Sequence, residues 1–248
     1  MRHIVLTRSA YVPELWPLEA NRRRLALLRA VTARSLARQT SRAWRWAVML
    51  HERDPLRRER AAVVRDACPR AVILYDRGAA TTRDGLALRA YEGWRGPLQS
   101  HQGRLLTTRV DDDDAFASDA LARVRAAAER TPVGARTALV IPNGYRVWQG
   151  RASLVRHETN AWSSVLSPDG DPFVVFDVRH RQVREAAPLR FVDERPGWLW
   201  VRHPDTLSGE KAAASPIGPA LRALFPIDWA ALGEPARGSG PSGEVLYR

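Results

Sequence analysis

Between residues 3 and 130, four short apolar and β-branched runs alternate with stretches that carry helical spacing. The runs are residues 3–8, Trp44–Leu50, Ala71–Tyr75 and Leu105–Val110. Between the first two, Leu15, Leu18, Leu25, Leu28, Val31 and Leu36 are spaced for one face of a helix over residues 14–38, and arginines occupy much of the rest. Residues 57–67 read as a second helix, 84–91 as a short third, 93–103 as a Gly- and Pro-containing loop, and about 115–130 as an alanine-rich fourth helix. Strand and helix in strict alternation predict a parallel α/β sheet flanked by helices. Such a sheet places ligands beyond the carboxyl ends of its strands.

The fourth run ends in Asp111-Asp112-Asp113-Asp114. Asp at a strand-to-helix junction is a good helix cap, and Asp114 is placed for that role. Four adjacent like charges also repel one another and favour a cation, most simply a divalent metal with oxygen ligands. Asp111 and Asp113 stand two apart, so an extended segment would point both to one side as a D-x-D pair.

The second half has a different rhythm. Thr137–Pro142, Tyr145–Trp148, Phe173–Val178, Arg190–Val192 and Trp198–Val201 read as strands without regular helices between them, with turns at Asn143-Gly144 and Pro168-Asp169-Gly170. An antiparallel or mixed extension of the sheet is expected. One domain over 1–208, with a ligand-binding half at 1–130 and a second half at 131–208, precedes an extension at 209–248. In that extension, 216–232 suits a helix and turn, and 233–245 is rich in Gly, Pro and Ser.

Composition removes several classes. One cysteine, Cys68, leaves no internal disulfide and no cysteine-based zinc site, and a reducing cytoplasm is the simplest compartment. No apolar run reaches the roughly 18 residues of a spanning helix, and the first residues lack a signal peptide's apolar run. The formal net charge of +12 would suit phosphorylated ligands or an anionic membrane face, which allows peripheral membrane association. Lys211 is the single lysine, so the basic excess is an arginine bias, and no nucleic-acid module accompanies it. Nucleic acid is not an expected partner. Two other readings compete: a basic nucleic-acid or anionic-surface binder with a structural Asp run, and a metal-dependent phosphohydrolase. The latter usually draws carboxylates from several strand ends.

Four segments carry a resemblance. They are Ile4-Val5-Leu6-Thr7-Arg8; Ser35-Leu36-Ala37-Arg38-Gln39-Thr40 followed by Trp46; Thr107-Thr108-Arg109-Val110 with the Asp run and Ala115; and Pro196-Gly197-Trp198-Leu199-Trp200-Val201-Arg202-His203. Together they resemble the putative rhamnosyltransferase family, within the GT-A-type glycosyltransferases, over residues 3–208. The resemblance implies a GT-A-like, Rossmann-like α/β fold. It also implies transfer of a sugar from a nucleotide-diphosphate sugar to an acceptor such as a polysaccharide, a natural product or a peptide. Thr7 and Arg8 would line the nucleotide pocket, and Asp76 would lie near the base or ribose. Arg109 would hold the Asp run or touch phosphate. Asp111 would meet the ribose or the metal, and Asp113 and His203 would ligate Mn²⁺ or Mg²⁺. An acidic catalytic base is expected after an Asn-led helical turn, which Asn160–Leu166 fits, but Ser167-Pro168 follows it. Asp169 is the favoured base, with Glu158 and Asp177 as alternatives. Trp44, Trp46, Trp198 and Trp200 read as core or sheet-face residues rather than sugar platforms.

Overall fold

In the computed structural model, which describes residues 1–9, 15–77, 102–203 and 215–232, the alternation becomes a parallel sheet. Strands β1 (Arg2–Ser9), β2 (Arg45–His51), β3 (Val72–Asp76) and β4 (Leu105–Arg109) are parallel and lie side by side as β3-β2-β1-β4. The chain builds outward from β1 in one direction and then crosses to its other side for β4. The carboxyl ends of β1 and β4 therefore flank a topological switch point, where open α/β sheets form their ligand crevice.

The crossover from β1 to β2 is helical. Helix α1 (Leu18–Leu27) passes into a π-helical stretch, Leu28–Ala33, and then α2 (Arg34–Ala37). Its buried face, with Leu28, Val31 and Leu36, packs in one apolar cluster with Val5, Trp46, Val48 and Leu50 of the sheet and Val63 and Val64 of α3 (Arg57–Ala67). The short helix expected at 84–91 lies outside the described residues.

Past β4 the sheet changes direction. Its outer strands are β9 (Ser164–Ser167), antiparallel to β4, then β6 (Thr137–Val140), antiparallel to β9, then β10 (Leu189–Phe191), parallel to β6. A second sheet has the order β12-β8-β7-β11-β5, from β5 (Ala115–Phe116), β7 (Asn143–Trp148), β8 (Arg151–Arg156), β11 (Trp198–Val201) and β12 (Ser215–Pro216). Helix α4 (Ala120–Glu129) follows β5, α5 (Val183–Ala186) precedes β10, and α6 (Pro219–Leu224) lies in the 216–232 region read as helix and turn. This is the GT-A-like fold: a mixed, mostly parallel sheet flanked by helices, with an antiparallel part.

Several local expectations are corrected. Phe173–Val178 is not a strand: its apolar run is irregular backbone whose Val174, Val175 and Phe176 are buried against the sheet, and the Val175 amide donates to the Thr107 hydroxyl at 2.9 Å. Asn160–Leu166 is not a helical turn. Asn160 caps a tight bend through its side chain, accepting from the Trp162 amide at 3.0 Å, and the chain then enters β9. Asn143-Gly144 begins β7 instead of turning. A Cβ on Gly144 would lie 2.0 Å from the Trp198 ring, so the glycine makes room for that indole. Trp198 in turn stacks on Trp162 at 4.2 Å between centroids, and Trp46 and Trp198 are core residues, as expected.

Candidate active site

Residues 111–114 do not run extended. They form a tight turn closed by the Asp114 amide donating to the Asp111 carbonyl at 3.3 Å, and the Asp111 and Asp113 carboxylates meet different partners, Arg109 and Arg24 with His203. The D-x-D alternation expected of an extended segment is therefore lost. Thr32, in the π-helical stretch, donates its hydroxyl to the carbonyls of Asp114 (2.8 Å) and Asp111 (3.3 Å), tying the turn to the first crossover. A π-helical insertion facing a polar cluster is a common mark of a functional site. Behind the turn, Gln39 donates to the Ala117 carbonyl and accepts from the Leu121 amide, and Ser35 accepts from the Phe116 amide. The Ser-Leu-x-x-Gln-Thr segment is thus the clamp that fixes the chain leaving the Asp run.

Strand β11 brings the other half of the site. It pairs antiparallel with β5, Trp198 opposite Phe116 and Leu199 opposite Ala115, so the residues after Val201 run back alongside the Asp run. The Val201 amide donates to Asp114 Oδ1 at 3.1 Å. Asp114 is therefore a strand partner and not the cap of α4; β5 intervenes, and Asp119 occupies the N-cap position. Two residues past β11, His203 Nε2 lies 2.9 Å from Asp113 Oδ2.

The remaining Asp side chains find arginines. Arg109 is bidentate on Asp111, at 3.0 and 3.2 Å from its two oxygens, and its guanidinium lies over the Phe176 ring. Asp112, fully buried, accepts from Ser9 Oγ at 2.5 Å and from Arg24 Nη2 at 2.5 Å, and pairs with Arg60 Nη1 at 3.6 Å. Arg60 is itself fully buried, held by Asp54 (2.8 Å), Ser9 (3.0 Å) and both the carbonyl and side chain of Asn21. Arg24, from α1, reaches across to Asp112 and Asp113 and lies 3.0 Å from His203 Nε2. Sequence reasoning gives Arg24 only a place in the arginine cluster of the first helix (Arg22, Arg23, Arg24, Arg29), which would favour a nucleic-acid or anionic surface, and it does not single out Arg60. The signal was present: Arg24 falls between Ala20 and Leu28, and Arg60 beside Val63 and Val64, on the apolar stripes of their helices.

The electrostatics set Asp114 and Asp111 apart. Burial, then the neighbouring charges of Asp113 and Asp111, push the Asp114 carboxyl well above its ordinary value. Burial would also raise Asp111, but the charges of Arg109, Arg8 and Arg24 outweigh it and hold that carboxyl below its ordinary value.

The other expected residues are placed less uniformly. Arg8, next to last in β1, lies close enough to act on Asp111. Thr7 is buried, its hydroxyl accepting from the Trp46 indole at 2.9 Å, so its side chain faces the core. Asp76 ends β3, its carbonyl bonded to the Glu52 amide, three strands along the same sheet edge. Asp169 is brought elsewhere. It accepts from the Gly103 amide at 2.7 Å, ahead of β4, because antiparallel β9 carries the chain to the amino end of that strand before 169 is reached. Glu158 precedes β9 at the carboxyl end and pairs with Arg156 and Arg184 in solvent. Asp177 follows the Val174–Phe176 plug and accepts from the Val174 amide at 2.9 Å. His180 is held neutral nearby, its pKa lowered to about 4 by burial and then by the charge of Arg109.

For a divalent cation, the donor set is one carboxylate oxygen and one imidazole nitrogen, Asp113 Oδ2 and His203 Nε2, both largely buried. Among the described residues, no three His, Cys, Asp or Glu side chains converge as a cage. Two protein donors fit Mg²⁺ or Mn²⁺ in the form that keeps waters and takes further oxygens from substrate phosphates. Asp111, turned to Arg109, is not part of this pair. A cavity of about 200 Å³ lined by Leu27, Val147, Gln149 and Val201 opens beside His203. A larger one, about 470 Å³, lies at the amino ends of the strands beside Arg2, Trp44 and Arg45. Of the two, the first borders the Asp–His pair, through His203.

A family model described as putative rhamnosyl transferase matches residues 16–215. No curated protein matches the chain in sequence. Among solved structures, a crystal structure of S. aureus TarS superposes with a TM-score of 0.51 at 11% identity, covering 83% of this chain and 37% of that one. The chain thus spans little more than a third of TarS, and the likeness concerns the fold. Mouse xyloside xylosyltransferase 1, in its apo form, gives a TM-score of 0.38 at 12% identity over 58% of this chain and 54% of that one, a likeness too low to define a fold. No helix among the described residues is long and apolar enough to cross a membrane.

Proposed function

We propose, for a chain that belongs to the putative rhamnosyl transferase family and is a glycosyltransferase, that it transfers a sugar from a nucleotide-diphosphate sugar held with Mn²⁺ or Mg²⁺ beyond β1 and β4. The observation that carries this reading is the convergence of Asp113 Oδ2 and His203 Nε2 at that end of the sheet. Asp113 and His203 would hold the divalent cation there, and it would supply Lewis-acid stabilisation to a departing diphosphate.

The chain's own residues divide the remaining work. Arg109 holds Asp111 as a carboxylate, which would meet the ribose or the metal. Arg8 adds positive charge at the end of β1 for phosphate. In the transfer, an acceptor hydroxyl oxygen bonds to the anomeric carbon as the bond from that carbon to the diphosphate oxygen breaks. The bonding pair leaves with the diphosphate, and the hydroxyl proton passes to a base. We place that base at Glu158 or Asp177 rather than at Asp169, which sits at the other end of β4. Rhamnose is the sugar the family description suggests, and the acceptor stands as a polysaccharide, a natural product or a peptide. The domain is proposed to span 1–208, with 209–248 as an extension.

Titration of UDP, GDP and dTDP into the protein by calorimetry, with and without Mn²⁺, tests this. One of the three should bind only with metal, and Asp113→Ala should abolish that binding while leaving a cooperative melt. Metal-independent binding unaffected by Asp113→Ala would refute the assignment.

A further inference from the structure

Arg24 is in contact with the same two atoms that form the metal's donor set. Its Nη1 contacts Asp113 Oδ2 and lies 3.0 Å from His203 Nε2, while those two atoms are 2.9 Å apart. Nη1 thus stands against both atoms that a shared cation would need. Arginine only donates and an ionised carboxylate only accepts. A cation seated between the oxygen and the nitrogen satisfies both lone pairs, but only if the guanidinium withdraws.

The surroundings allow that withdrawal. Asp112 keeps Ser9 and the buried Arg60 when Arg24 leaves, so it is not stranded without a cation. Asp113 exchanges one positive partner for a doubly charged one. The diphosphate that arrives with the metal offers Arg24 new oxygens in the forked geometry a guanidinium matches best. Arg24 also differs from its neighbours: Arg22 and Arg23 lie in solvent near Glu19, whereas the Arg24 side chain is 15% exposed.

We propose that Arg24 is a displaceable counter-cation, which holds Asp112 and Asp113 while the donor is absent and transfers to the diphosphate when metal and donor arrive. The inference rests on the metal–diphosphate reading above. Its consequence is coupling: Arg24 opposes metal alone and favours metal with nucleotide, so each ligand strengthens the other.

The test uses Arg24→Met, which keeps an apolar stem and removes the charge. Mn²⁺ binding without nucleotide is followed by the loss of the free-ion EPR signal. Binding of UDP, GDP and dTDP at saturating Mn²⁺ is followed by calorimetry. The expected changes have opposite signs: Mn²⁺ alone binds at least about tenfold tighter, and the nucleoside diphosphate at least about tenfold weaker. A merely structural role would weaken both together, and that result, or an unchanged Mn²⁺ affinity, overturns the proposal. If Arg24→Met fails to melt cooperatively, Arg24→Lys replaces it. Its point charge cannot bridge both carboxylates, and smaller shifts of the same two signs are expected; any other pattern overturns the proposal. A wild-type protein that binds none of the three nucleotides with Mn²⁺ removes the donor reading itself, and this inference with it.

Discussion

Replacing Arg60 by methionine probes the foundation on which the Asp run stands. Arg60 has no exposed side-chain surface, and neither do its partners Asp54 and Asp112. It donates to Asp54 Oδ2 at 2.8 Å, to Ser9 Oγ and the Asn21 carbonyl at 3.0 Å, and to the Asn21 side chain. Methionine fills part of the volume but leaves Asp54 without its cation. Breaking a buried ion pair from one side costs about 3–5 kcal/mol, chiefly because the remaining charge stays buried and uncompensated. At about 2–4 °C per kcal/mol for a chain of this size, the melting temperature should fall by about 6–20 °C. Urea unfolding of Arg60→Met, Asp54→Asn and the double variant closes the cycle. The double variant should lose at least about 1 kcal/mol less than the two single losses added together, because the stranded carboxylate is gone. A loss under about 1 kcal/mol for Arg60→Met, or strictly additive losses, would refute the reasoning.

Two further predictions concern the sheet. His3 is buried on β1 and its pKa is lowered to about 3, by burial first and then by the charge of Arg125. On acidification the unfolded chain takes up a proton near pH 6.5 that the folded chain refuses. Stability is therefore complete above that value and is lost as pH falls toward about 3; the share lost between pH 7 and pH 5 is about 2 kcal/mol. His3→Gln should lose about 2 kcal/mol less than wild type over that interval in urea melts, and identical pH slopes would count against the assignment. Gly144→Ala, whose Cβ would meet the Trp198 ring at 2.0 Å, should cost about 1–3 kcal/mol and change the near-ultraviolet circular dichroism of the Trp162–Trp198 stack. An alanine variant as stable as wild type would show that β7 and β11 can separate freely.

Much of the first half was legible because its periods are strong. Leu28, Val31 and Leu36 mark one helical face, and β1, β2, β3 and β4 are short apolar runs bounded by breaks. The placement of the Asp run after β4, and of His203 beside Asp113, also followed from sequence segments. The internal geometry of the run did not, because a turn and an extended segment share the same four letters. Arg24 was hidden inside Arg22-Arg23-Arg24, where only helical phase separates one buried arginine from two exposed ones. In the second half, Phe173–Phe176 carries strand-forming residues with no alternation, and it folds as a buried irregular plug. The Ser-Val-Leu-Ser of β9 was concealed by the Asn160 bend before it, and that unread strand carries Asp169 to the amino end of β4.

The central claim is that Asp113 and His203 jointly hold a divalent cation with the donor's diphosphate at the carboxyl ends of β1 and β4. An anomalous difference map from crystals grown with Mn²⁺ and the nucleoside diphosphate selected by calorimetry tests it most directly. The account predicts one strong manganese peak bonded to Asp113 Oδ2 and His203 Nε2, capped by diphosphate oxygens, with the Arg24 guanidinium moved onto the phosphates. Nucleotide bound instead in the arginine-lined cavity at the amino ends of the strands, with no manganese between Asp113 and His203, would contradict it.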